Sequence, residues 1–177
     1  MKRILFIAAL STSFAAVAHG QTAEQGFVKG PVLEGFGPAA AVDSDLEIPD
    51  DMSFKIAFDI SEAADEGRVS RRFESVARFI NMHAAAGIAR ERIEPAIVVH
   101  GPAAADILKP TDDEEAAPTA ALVEALLEEG VPIYLCGQTA AAKGIGKDDL
   151  IPGVQLALSA MTAHAVLAED GYSLNPF

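Results

Sequence analysis

The chain has one cysteine, Cys136, and it stands where a predicted strand (131–136) meets a predicted short helix (138–143). Amides that begin a helix lack partners within it and carry a partial positive charge, which favours a nearby anion. A thiolate is such an anion, so a cysteine in this position has a lowered pKa and raised reactivity. The sequence therefore predicts a catalytic thiol. The alternative is a buried cysteine that only packs, since free cysteine is among the most buried residue types.

The residues that follow Cys136 are predicted to bind around its sulfur. Gly137 forms the bend and is expected to leave room above the sulfur for a second atom or a partner's thiol. Gln138 and Thr139 come next, and their amides belong to the predicted helix start that would stabilise negative charge. We therefore assign all three as binding residues.

His100 is the second candidate for chemistry, because it ends the apolar run 96–100 and precedes the bend Gly101-Pro102. It is predicted to act as a general base, as a partner of the thiolate or as a binder of a leaving group. The alternative is a capping histidine bonded to backbone. Gly101 is assigned to the binding residues. Ligand crevices of open α/β sheets lie outside the carboxyl ends of the strands, so His100 and Cys136 are expected at one edge.

Motifs for metals and common cofactors are missing from the sequence. It contains no His-x-x-x-His, Cys-x-x-Cys or His-x-Glu spacing for a metal. It also lacks a phosphate loop, a Gly-x-Gly-x-x-Gly after the first strand and a Gly-x-Ser-x-Gly elbow. We therefore predict no metal ligands within one chain and no cofactor.

The elements that would position these residues alternate between strand and helix from residue 54 onward. Predicted strands cover 54–60, 96–100, 131–136 and 154–160, and predicted helices cover 71–86, 118–129, 138–143 and 161–169. Such alternation implies a mainly parallel sheet. The fold class is therefore α/β: a single doubly wound domain, flavodoxin- or Rossmann-like, with an extended N-terminal arm.

Three regions divide the chain. Residues 1–20 have a basic start, an apolar stretch and small residues at the end, which is the layout of a secretory signal peptide. Residues 21–52 are rich in Gly and Pro and predict an extended arm that packs down, with another subunit as one candidate surface. Residues 53–177 form the α/β domain. A periplasmic location is expected, and a single cysteine leaves no internal disulfide.

The charge balance excludes some partners. The chain has 13 Lys and Arg residues against 26 Asp and Glu residues, which gives a formal net charge of -13. Nucleic-acid binding needs clustered basic residues, and so does docking on an anionic membrane. We therefore expect neither a nucleic acid nor a membrane as partner.

Several segments carry a family resemblance: VHGPA at 99–103, VPIYLCGQTAAAKGI at 131–145, LIPGV at 150–154 and DGY at 170–172. They resemble the DsrE/DsrF-like superfamily, which includes TusD-like sulfur-relay proteins, and more closely its exported bacterial members. The resemblance implies a small doubly wound fold, a homo-oligomer (trimer or hexamer) and a cysteine that carries sulfur as a persulfide. Cys136 matches that cysteine. The sulfur-relay members are cytoplasmic, whereas this chain is predicted to begin with a signal sequence.

The leading hypothesis is a periplasmic protein that carries sulfane sulfur on Cys136, with a small molecule or a protein thiol as donor and acceptor. Whether it is an enzyme is left open; a sulfurtransferase or a sulfur carrier fits the resemblance. The alternative is a non-enzymatic oligomeric binding module that holds a small ligand or a soft metal at the carboxyl edge of the sheet. A third option is a structural protein with an inert, buried Cys136.

Overall fold

A computed structural model describes residues 26–110 and 117–175. In this part of the chain the strands are β1 (Phe54–Ile60), β2 (Ile93–Val99), β3 (Ile133–Cys136), β4 (Gln155–Ala157) and β5 (Ser173–Asn175). The helices are α1 (Arg71–Ala85), α2 (Ala120–Glu128), α3 (Gly137–Lys143) and α4 (Ala160–Glu169). A 3-10 helix, Gly101–Ile107, follows β2 directly.

The described strands form one sheet with the order β4-β3-β2-β1-β5, and every neighbouring pair is parallel. Helices cover both of its faces. On the first face α1, α2 and α3 pack on strand residues such as Phe58 and Ile60. On the second face Ala163 and Leu167 of α4 pack on residues such as Val98. The predicted α/β fold with a doubly wound parallel sheet is confirmed.

The chain leaves β3 toward the first face and β4 toward the second. A ligand crevice in an open α/β sheet forms where neighbouring strands send their connections to opposite faces. That point lies between the carboxyl ends of β3 and β4. Cys136 is the last residue of β3, so the fold itself places the cysteine at the switch point.

The arm packs on α1 of the same chain, and Asn81 holds it there. The Asn81 side chain is fully buried. Its oxygen accepts hydrogen bonds from the amides of Val32 (3.2 Å) and Leu33 (2.9 Å). Its amino group donates to the carbonyls of Leu33, Phe36 and Gly37. Because an unpaired buried amide is costly, this network fixes the arm to the helix.

Element bounds differ from the prediction at several strands. β2 begins at Ile93, three residues before the expected start, and includes Pro95. Proline cannot donate to a ladder, but β3 pairs with β2 only from Ile97 onward, so Pro95 lies where β2 has one neighbour. β4 spans only Gln155–Ala157, because α4 begins at Ala160. The sequence analysis also missed β5, a short strand beside β1.

Some predictions fall outside the described residues. The predicted signal peptide (1–20) and the first residues of the arm are among them, as are residues 111–116 of the connection after β2. Within the described ranges, no helix combines the length and apolar character that a membrane span requires.

Candidate functional site

The sulfur of Cys136 lies among hydrogen-bond donors from two helices. The amides of Gln138 and Thr139 at the start of α3, the Thr139 hydroxyl and the amide of Ala160 at the start of α4 are placed to favour a thiolate there, although the Cys136 side chain does not form a capping hydrogen bond with α3. Burial raises the pKa of the Cys136 thiol, but these groups stabilise the thiolate and together outweigh burial, so the pKa lies below the ordinary value of 9.0. The residue is only 7 % exposed, so its sulfur lies just beneath the surface.

Gly137 lies against the backbone of the β4–α4 connection, which leaves no space for a side chain at this position. A side chain at this position would place its Cβ 2.5 Å from the carbonyl oxygen of Ala157 and 2.9 Å from that of Leu158. The space that a side chain would take is therefore occupied by the backbone of the β4–α4 connection. The missing side chain lets β4 approach β3 closely, which brings the Ala160 amide to the sulfur. Gln138 holds the same connection, because its side-chain amide donates to Leu158 O over 3.2 Å.

Thr139 links the cysteine to the end of β2. Its hydroxyl oxygen accepts a 3.0 Å hydrogen bond from the amide of Gly101, and the same hydroxyl helps to lower the pKa of the Cys136 thiol. Gly101 has φ of +58°, a left-handed conformation that favours glycine. A side chain there would also meet the carbonyl of Ser61. The structure thus brings the predicted binding residues Gly101 and Thr139 together with Cys136.

His100 lies at the same edge of the sheet. Val99 of β2 pairs with Leu135 of β3, so His100 and Cys136 are the next residues on adjacent strands. The His100 side chain bonds a carboxylate and does not cap the backbone: its Nε2 lies 3.1 Å from Oδ2 of Asp59. The predicted pair of site residues therefore shares one edge.

Asp59 and His164 were not singled out by the sequence analysis. Nε2 of His164, on α4, lies 2.8 Å from Oδ1 of Asp59. Burial raises the pKa of Asp59, but the hydrogen bonds and charges of His164 and His100 outweigh it and lower the pKa below 3.8. Asp59 and His164 are 105 positions apart in the chain, and a single sequence carries no signal that joins them. Among the described residues, no group of three or more His, Cys, Asp and Glu side chains is arranged to hold a metal ion.

The chain belongs to the DsrE/DsrF-like family, whose model matches residues 52–176. Membership suggests a role of the sulfur-relay kind. No curated protein matches the sequence.

Two solved structures share the fold. One is MTH1491, a protein of unknown function from Methanobacterium thermoautotrophicum, with a TM-score of 0.55 and 20% identity over 71% of this chain and 100% of that one. The other is the ychN protein from E. coli, with a TM-score of 0.54 and 19% identity over 70% of this chain and 99% of that one.

Proposed function

We propose that this protein carries sulfane sulfur as a persulfide on Cys136. The observation that supports it is the set of donors around the sulfur, which lowers the thiol pKa in spite of burial. Family membership points to the same chemistry. The thiolate form is the nucleophile in thiol chemistry, so these donors prepare the residue for attack on a sulfur–sulfur bond.

The transfer needs no external oxidant or reductant. The Cys136 thiolate attacks the outer sulfur of a donor persulfide or polysulfide. The donor's S–S bond breaks, its electron pair leaves on the donor thiolate, and a new S–S bond forms on Cys136. An acceptor thiolate then attacks the outer sulfur of this persulfide, and Cys136 returns to its thiolate form. The donors that stabilise the thiolate are in place for both steps.

The direct test is mass spectrometry of the intact protein after exposure to inorganic polysulfide. We expect an adduct of one sulfur atom, reversed by a small thiol. Because the chain has one cysteine, a Cys136→Ser variant is a complete control and must show no adduct. Wild-type protein that gains no sulfur while it stays folded contradicts the proposal.

The location and assembly of the protein belong to the same proposal: a periplasmic homo-oligomer that exchanges sulfur with a small molecule or a protein thiol. Assembly is supported by exposed apolar side chains on and near α4, with Leu158 73 %, Met161 79 % and Val166 57 % exposed. Contiguous exposed apolar surface is typical of interaction sites. Light scattering of purified protein tests the assembly, and recovery in the periplasmic fraction tests export. A monomer in solution contradicts the proposed assembly, and retention in the cytoplasm contradicts the proposed periplasmic location.

A further inference from the structure

Asp59 shares its carboxylate between two histidines from different elements. Oδ2 lies 3.1 Å from Nε2 of His100, at the end of β2, and Oδ1 lies 2.8 Å from Nε2 of His164 on α4. All three side chains are about one fifth to one third exposed: 31% for Asp59, 33% for His100 and 21% for His164. Because each carboxylate oxygen contacts a different histidine, neither imidazole can rotate without losing its partner.

An ionised carboxylate only accepts hydrogen bonds. Asp59 is held in this form, because its histidine partners lower its pKa. Each Nε2 must then carry the proton that it donates. A neutral imidazole has one protonated nitrogen, so Nδ1 of each ring holds the lone pair. The carboxylate thus selects a tautomer for both histidines.

His100 and Cys136 follow a paired couple of residues on adjacent strands, Val99 of β2 and Leu135 of β3, so they share the carboxyl edge of the sheet. α4 packs on the face that includes Val98, two residues before His100. The same helix contributes His164 to Asp59 and the Ala160 amide to the sulfur. Gly101, the residue after His100, donates a hydrogen bond to the hydroxyl of Thr139, which is one of the groups that favour the thiolate of Cys136.

We propose that Asp59 is a positioning residue that keeps Nδ1 of His100 free as the proton acceptor of the site, and that His164 fixes the carboxylate by occupying its other oxygen. This inference rests on the proposed sulfur chemistry. When the Cys136 S–H bond breaks, its proton goes to Nδ1 of His100 and the electron pair stays on sulfur. The imidazolium, stabilised by Asp59, then gives that proton to the thiolate that leaves the donor.

The first test is the tautomer state, read by nitrogen-15 NMR of the histidine rings. In the wild-type protein we expect the proton on Nε2 in both His100 and His164, with resonances assigned from His100→Gln and His164→Gln variants. A wild-type His100 with its proton on Nδ1 overturns the proposal without any need for a further variant.

Asp59→Asn gives a sharper result. An asparagine side chain has one carbonyl oxygen and one amino group, so one of the two positions that the carboxylate oxygens occupy becomes a donor and cannot accept from the Nε2–H group beside it. We expect at least one of the two histidines to lose its single Nε2–H tautomer. If both rings keep the wild-type tautomer in Asp59→Asn, the positioning role is wrong.

The second test measures the rate at which inorganic polysulfide adds sulfur to Cys136 at one fixed pH. We expect Asp59→Asn to slow the reaction by about tenfold or more, as loss of an oriented general base does. In a His100→Gln background the same change should add little, because Asp59 acts through His100. A full additional loss in that background overturns the inference. If wild-type protein gains no sulfur at all, the sulfur proposal fails, while the NMR result still decides whether Asp59 sets the tautomer.

Discussion

The hydroxyl of Thr139 accepts a 3.0 Å hydrogen bond from the amide of Gly101. The same hydroxyl helps to lower the pKa of the Cys136 thiol. One side chain thus joins the ends of β2 and β3 and supplies one of the donors that favour the thiolate. A hydrogen bond to a charged group contributes about 1.5–3 kcal/mol, which is enough to change the reactivity of the thiol measurably.

Thr139→Val removes this hydroxyl with little change of shape. We expect alkylation of Cys136 by iodoacetamide near neutral pH to slow by about tenfold, because a thiolate donor is lost. Thr139→Ser keeps the hydroxyl and is the matched control, with a rate close to wild type. Equal rates for the valine and serine variants would show that the hydroxyl does not influence the sulfur.

The pH dependence of alkylation should show the lowered pKa of Cys136. We expect the rate to reach half of its plateau at a pH below 9.0, the ordinary value for the thiol. The thiolate then stabilises the folded state fully above 9.0, and this contribution is lost as the pH falls through the lowered folded pKa. The urea-unfolded chain is the control and should titrate as an ordinary thiol. A folded-state midpoint at or above that of the unfolded chain contradicts the donor arrangement.

Asp59 should contribute to stability in a defined acid range. Because the folded pKa lies below 3.8, the ionised carboxylate stabilises the folded state above 3.8, and the contribution is lost as the pH falls through the folded pKa. We therefore expect the difference in unfolding free energy between wild type and Asp59→Asn to shrink as the pH falls below 3.8. Urea denaturation measures it. Glu66→Gln changes an exposed acid and is the control. If the difference in unfolding free energy between wild type and Asp59→Asn grows toward acid pH, the prediction is wrong.

Asn81 should control the docking of the arm. Asn81→Ala removes a buried set of hydrogen bonds to Val32, Leu33, Phe36 and Gly37. We expect a loss of about 2–4 kcal/mol in unfolding free energy and faster proteolysis within the arm. Met82→Ala, at a 41 % exposed position of the same helix, should leave both nearly unchanged. An arm that resists protease equally in both variants would mean that Asn81 does not hold it.

Gly137→Ala tests the close approach of β4. The new Cβ would meet the carbonyl oxygens of Ala157 and Leu158, so the connection before α4 must move. We expect lower stability and slower alkylation of Cys136, since the Ala160 amide moves with that connection. Gly35→Ala, where a Cβ meets nothing within 4 Å, is the control. If Cys136 is alkylated at the same rate in Gly137→Ala as in wild type, the reactivity of the sulfur does not depend on this backbone contact.

The sequence was sufficient for elements with strong local signals. α1 occupies Arg71–Ala85, close to the predicted 71–86, because its buried residues recur at helical spacing and Gly87 follows its end. β2 was predicted too short because Pro95 is usually read as a strand boundary. β2 can include Pro95 because β3 pairs with β2 only from Ile97 onward. This pairing is a property of the assembled sheet.

The candidate site was predictable only in part for the same reason. The strand ends placed His100 and Cys136 at one edge, because the carboxyl ends of parallel strands share an edge. The Asp59–His164 contact and the Ala160 amide at the sulfur depend on how α4 crosses the second face. No local pattern encodes that crossing, so these partners emerge only from the fold.

α4 holds two parts of the site at once. Its first residue, Ala160, donates to the sulfur, and one turn later His164 bonds the carboxylate that orients His100. Met161 and Val166 on the same helix face outward and are largely uncovered. A partner that binds this outer surface and shifts α4 would therefore move the Ala160 amide and the His164 side chain together. The surroundings of Cys136 and of His100 would then change at the same time.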